Sequence, residues 1–169
     1  MKTIPAIVCC LALSGMAAAQ TKGKPMTDQQ FLDTAAQTDM LEAHLGQMAA
    51  GHAASQDVKD YAQMLVADHT ADYQQLTALA AKDGLTVPTA LDAAHNQKIA
   101  PFEKLQGAAF DSKYSHMMVE GHTEAIGVYT KESSDAANPD VKAYASATLP
   151  TLNKHLDAAK GLAKKPAGK

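Results

Sequence analysis

Four potential metal ligands stand where apolar side chains belong. Glu42, His69, His122 and His155 each fall on the inward arc of a hydrophobic pattern that repeats with the period of an α-helix. Three imidazoles and one carboxylate form a donor set that suits Zn, Fe, Mn or Cu(II). Asp39, Asp68 and Asp72 lie close enough along the chain to accept hydrogen bonds from those imidazoles and fix their tautomers. The same residues also admit a second reading: a buried network in which Glu42 pairs with the histidines and specifies the packing of the core. Both readings start from one constraint, since a buried polar group with no partner costs ~1–3 kcal/mol. The metal reading adds a pH limit, because imidazole must be neutral to ligate and binding should fade below ~6.

The elements that must position these residues are four long helices. Thr27 or Asp28 can cap the first, which is predicted from about Gln29 to Ala53, with Phe31, Ala35, Leu45 and Ala49 inward. After a break at Ser55-Gln56-Asp57, the second runs from Val58 to Gly84 and buries Val58, Ala62, Leu65, Leu76 and Ala80. A connector from Thr89 to Gln106 contains a shorter helix interrupted by Pro101. The third long helix, about Ala108 to Ser133, turns Phe110, Tyr114, Met117, Met118, Ala125 and Val128 inward. The fourth, Val141 to Ala163, buries Val141, Ala145, Leu149, Leu152, Leu156 and Ala159, and Pro150 inside it predicts a kink.

The ligands also agree in height. Glu42 and His69 lie 14 and 13 residues from a turn centred on Gln56, and His122 and His155 lie 16 and 17 from one centred on Asn138. In antiparallel hairpins rising ~1.5 Å per residue, each pair sits side by side. A weak internal repeat, VKDYA at Val58 and VKAYA at Val141, marks the two hairpins as related. Two helical hairpins joined by a long helical crossover give an all-α, ferritin-like four-helix bundle.

The chain ends read differently. MKTIPAIVCCLALSGMAAAQ has a basic start, an apolar run and an A-x-A site, the signature of a secretory signal peptide cleaved after Ala19. The expected organisation is signal 1–19, leader 20–28, bundle 29–163 and flexible tail 164–169. Both cysteines, Cys9 and Cys10, leave with the signal, so the mature chain has no disulfide and no thiolate chemistry. An exported bundle without disulfides fits a bacterial periplasm. Loss of Lys2 leaves 14 lysines against 18 acids, and there is no arginine at all. Nucleic acid is a poor partner for such a surface. No segment after the signal is long and apolar enough to span a membrane. Composition names no partner and leaves oligomerisation open.

FLDTAAQTDMLEAHLGQMAA, YAQMLVADH, GAAFDSKYSHMMVEGH and TLPTLNKH, in that order, resemble the exported, ferritin-like "domain of unknown function 4142" family. The resemblance covers nearly the whole mature chain. It implies a ferritin-like bundle in the bacterial envelope with no established activity, and it carries Glu42, Asp68, His69, His122 and His155 as motif residues. The third block of the family more often reads Asp-His where this chain has Gly121-His122. Likeness to ferritins proper stops at the fold. Their di-iron sites use two Glu-x-x-His motifs, whereas this chain has none and places Asp92-x-x-His95 in the connector.

A second pattern mixes thioether and imidazole. Met40, His44, Met48 and His52 recur every four residues along the first helix, a ridge that could take Cu(I) or simply cover the helix flank with adaptable side chains. Nucleophilic catalysis has little support: there is no mature cysteine, no Gly-x-Ser-x-Gly and no phosphate-cradling glycine loop. Three readings therefore compete: a metal-binding or redox-protective bundle, a structural or interaction module of the envelope, and a metalloenzyme with an open coordination position.

Overall fold

The computed structural model describes residues 26–165. The expected signal peptide, most of the expected leader and the end of the expected tail lie outside the described residues. Four long helices carry the fold: α1 (Asp28–His52), α2 (Gln56–Lys82), α4 (Gly107–Asp135) and α5 (Pro139–Ala163). The connector holds the short α3 (Ala93–Ile99), and a 3-10 turn over Ala100–Phe102 follows it, with Pro101 at its start. Among the described residues there is no strand. The fold is an all-α bundle, as the hydrophobic periods require, and the predicted helix bounds fall within about two residues of the observed ones.

Local chemistry explains where each helix begins and ends. Thr27 caps α1 in a reciprocal capping box with Gln30, which frees Asp28 for another task. The Asp28 carboxylate accepts from the backbone N–H groups of Ala137 and Asn138 at 3.1 Å, tying the start of α1 to the α4–α5 turn. At the opposite end Asp111 of α4 accepts from the N–H groups of Ala54 and Ser55 at 3.1 and 2.9 Å. These two carboxylates clamp the hairpins in register.

Within the first hairpin α1 and α2 approach closely at Gly46. A Cβ there would stand 2.7 Å from Val66 Cγ2 and 2.9 Å from the Ala62 carbonyl, so only glycine allows this separation. The crossover is strapped along α1 by side chains of α1. Gln29 bonds Thr86, Gln37 bonds the Ala90 carbonyl and the Asp92 N–H, and the His52 ring lies 2.8 Å from the Leu105 carbonyl. At the far end of α2, Gly84 takes a positive φ of 68°, which ends the helix without Cβ strain.

The core is divided in two. One apolar cluster gathers Leu45, Val58, Leu65, Phe102, Phe110 and Tyr114 near the α1–α2 turn. The other gathers Phe31, Leu32, Leu76, Tyr129, Val141 and Leu152 near the α4–α5 turn. Most predicted core positions are buried, but Met117, Val128 and Leu149 are only partly covered. Pro150 does not end α5, which continues to Ala163. Both Pro150 and Ser146, whose carbonyl loses its helical donor, are exposed, so water can satisfy that carbonyl.

Candidate metal centre

Between the two apolar clusters lies a polar layer. Each of the four long helices contributes one side chain to it, Glu42 from α1, His69 from α2, His122 from α4 and His155 from α5, all at most 4% exposed. Their common level follows from the Asp111 clamp. His122 is 11 residues along α4 from Asp111, and Glu42 is 12 residues back along α1 from Ala54, which Asp111 holds. At equal rise per residue the two hairpins therefore meet with their ligands level.

Every imidazole in the layer has one ring nitrogen held by an acceptor outside the layer's centre. His69 Nδ1 lies 2.8 Å from Asp39 Oδ1, His122 Nδ1 is 2.9 Å from the Met118 carbonyl, and His155 Nε2 is 2.9 Å from Asp68 Oδ2. These acceptors assign the protons to those nitrogens. What remains is His69 Nε2, His122 Nε2 and His155 Nδ1, all buried and without a hydrogen-bond partner. One ligand atom from each of these histidines falls within 4.8 Å of the other two. The ring centroids are 5.2–5.9 Å apart.

Glu42 flanks the three histidines on the side of His69 and His122. Its Oε2 stands 2.9 Å from His69 Nε2 and 3.4 Å from His122 Nε2. These approaches bring charge close to the rings but lack the direction of a hydrogen bond, and Oε2 counts among the buried atoms without a partner. Side chains from four helices thus meet in one buried layer, where the Glu42 carboxylate faces the Nε2 side of His69 and His122.

The electrostatics follow from burial and neighbours. Burial favours a neutral His69 ring, yet Glu42 and Asp39 reverse this and lift it to about 10. Burial pushes Glu42 up, but His69, then His122 and His155, outweigh it and hold the carboxyl below its usual value. Asp39 is raised to about 7 by burial, against the pull of His69. Burial lowers His155, and the neighbouring His69 and His122 add to this against its Asp68 bond. Without an ion the layer therefore holds a protonated His69 between two acids, beside a neutral His155.

Asp39 and Asp68 meet histidines as expected, and Asp72 does not. The Asp72 carboxylate accepts from the Tyr144 hydroxyl at 2.7 Å, and Tyr144 in turn lies 3.4 Å from Tyr129. Asp72 lies nearly one turn beyond His69, and the Tyr144 hydroxyl reaches it there from α5. Tyr61, the matching residue of the VKDYA repeat, reaches the His155 carbonyl at 3.3 Å. The two repeat tyrosines thus link α2 and α5 on either side of the layer.

The ridge on α1 is not gathered around a point. His44 is exposed and Met40 is half-buried, while Met48 packs against the apolar cluster and His52 turns to Leu105.

A family model described as "Domain of unknown function (DUF4142)" matches residues 12–162. The chain belongs to this family. A search of curated proteins returns no match. Among solved structures the chain is similar to CopM in its Cu(II)-bound form, with a TM-score of 0.70 at 14% identity, covering 83% of this chain and 98% of that one. It is also similar to CopM in the Cu(I)-bound form, with a TM-score of 0.67 at 16% identity, covering 81% and 95%. The silver-bound form gives a TM-score of 0.64 at 15% identity, with coverage of 81% and 95%. At these identities the likeness is one of fold. No helix among the described residues is long and apolar enough to cross a membrane.

Proposed function

We propose that this DUF4142 protein is an exported, periplasmic bundle that binds one transition-metal ion in its core. His69 Nε2, His122 Nε2, His155 Nδ1 and Glu42 Oε2 would be the ligands. One observation carries the reading: three buried histidines from three helices each offer a ring nitrogen within 4.8 Å of the others, each keeps one ring nitrogen without a hydrogen-bond partner, and the Glu42 carboxylate stands beside them. Asp39 and Asp68 are the carboxylates that would orient His69 and His155. A tetrahedral ion with ~2.1 Å bonds separates its donors by ~3.4 Å, so loading would draw the rings inward by roughly 1 Å.

This donor set suits Cu(II) or Zn(II), and the solved CopM forms carry copper and silver on a similar fold. Copper is therefore the first ion to test. The signal peptide read from the sequence supports export, and the two-hairpin layout supports a ferritin-type arrangement without its di-iron chemistry.

A second reading keeps the layer metal-free. The protonated His69 held between Asp39 and Glu42 would then be a buried ion cluster that specifies helix pairing. A melting series on chelator-stripped protein separates the two. Under the metal reading, Cu(II) or Zn(II) at a hundred times its Kd stabilises the wild type by ~2.7 kcal/mol, and His69→Ala and His155→Ala lose most of that gain. If no ion shifts the midpoint, the layer is a packing network.

A further inference from the structure

Glu42 faces two ways. Its Oε2 belongs to the histidine layer, while its Oε1, which has no hydrogen bond, lies 3.4 Å from where a Cβ of Gly121 would stand. Glu42 and Gly121 both line a cavity of about 550 Å³ between α1, α4 and the α3 segment of the crossover. Its walls are mixed: Leu41, Phe102, Met118, Val128 and Tyr129 supply the apolar and aromatic part, beside threonine, histidine and charged side chains. Charges at its edge balance in sign, Lys98 and Lys113 against Glu120 and Glu124. This volume is within the range of small-molecule sites and far exceeds the needs of a bare ion.

We infer that this cavity is a binding site for a compact organic cation, an apolar body with a protonated amine or amidine head that donates to Glu42 Oε1. Glu42 is 3% exposed, lines the cavity and keeps spare acceptor capacity at Oε1 beside the pairing of its Oε2 with His69. An ammonium or amidinium would complete it through a charge-assisted hydrogen bond. The walls already tolerate a cation, since the Lys113 ammonium lies 5.4 Å from the centroid of the Phe102 ring. Gly121 leaves the approach to the carboxylate open, and any larger side chain there would project toward it. Partial exposure of Met117 and Val128, predicted as core, has the same origin: they border this cavity.

The site is independent of any ion, so its test uses metal-free protein. Benzamidine is titrated into the mature protein with chelator present and followed by heteronuclear NMR, with benzoate as a control of matching size and opposite charge. Saturable benzamidine binding is expected, with shifts confined to the cavity walls and none for benzoate. Glu42→Gln keeps the shape and weakens binding about tenfold or more, the loss of one charge-assisted hydrogen bond. Gly121→Leu, which leaves the carboxylate in place, abolishes it while circular dichroism stays helical. Equal binding of benzoate, an unchanged affinity in Glu42→Gln, or full binding by a folded Gly121→Leu each overturns the proposal. So does the absence of saturable benzamidine binding by the wild type.

Discussion

Two sets of metal-capable side chains share helix α1, and they end in opposite circumstances. Glu42 joins three histidines from three other helices in a buried layer. Met40, His44, Met48 and His52 instead run along the flank of α1, from exposed to half-buried. Donors four residues apart on one helix point the same way and stay ~6 Å apart, so they cannot close around a single ion without a second element. A layer drawn from four helices can. Residue type and spacing nominate both sets, but convergence from separate helices distinguishes them.

The largest effect that could break this contrast is at His69. Replacing it by alanine leaves Glu42 and Asp39 buried without their shared cation, and loss of one partner from a buried ion pair costs ~3–5 kcal/mol. Urea denaturation of the metal-free protein should show that loss. A change below ~1 kcal/mol would mean the layer carries no such cluster. His155→Ala should cost less, ~1–3 kcal/mol, because its partner Asp68 is 40% exposed and can return to water.

pH sharpens the same contrast. His69 is raised to about 10 in the folded chain from an ordinary 6.5. Its contribution to the stability of the apo protein is thus fully present below ~6.5 and is lost as pH rises through about 10. Asp39, raised to about 7 from 3.8, contributes in the same direction: stability is lost as it ionises. An ion at His69 Nε2 must displace the ring proton, so apparent affinity should climb about tenfold per pH unit between 7 and 10. The simple expectation of fading below ~6 is thereby revised upward, because Glu42 and Asp39 hold that proton. Competition titrations at pH 7, 8 and 9 would show the slope, and a flat profile would exclude His69 as a ligand.

Much of this was readable in the chain. Helix-period stripes located α1, α2, α4 and α5, and distances from the turns paired Glu42 with His69 and His122 with His155. Docking of the hairpins was not readable, because it rests on Asp28 and Asp111, whose carboxylates reach backbone N–H groups 109 and 57 residues away. Periodicity cannot see such bonds. The bond that Asp72 accepts from the Tyr144 hydroxyl was hidden for a related reason, since Tyr144 approaches from α5. Nor does a helical stripe reveal that α1 and α4 part to leave a cavity beside Gly121.

Smaller effects test the surroundings of the layer. Tyr144→Phe removes one hydrogen bond to Asp72 and should cost ~0.5–1.5 kcal/mol, with no change in ion affinity. The double change His44→Ala with Met48→Ala should also leave affinity untouched, since only the packing of Met48 is lost. A drop in Cu(I) affinity in that double variant would restore the ridge as a site.

The central claim, that the buried layer and not the ridge holds the ion, is tested most directly by metal content. Untagged mature protein is stripped with chelator, loaded with Cu(II) or Zn(II), desalted and analysed by mass spectrometry of the element. The account predicts one ion per chain in the wild type, one in the ridge double variant and none in folded His122→Ala. An empty wild type, or a ridge variant that loses the ion while His122→Ala keeps it, would contradict it.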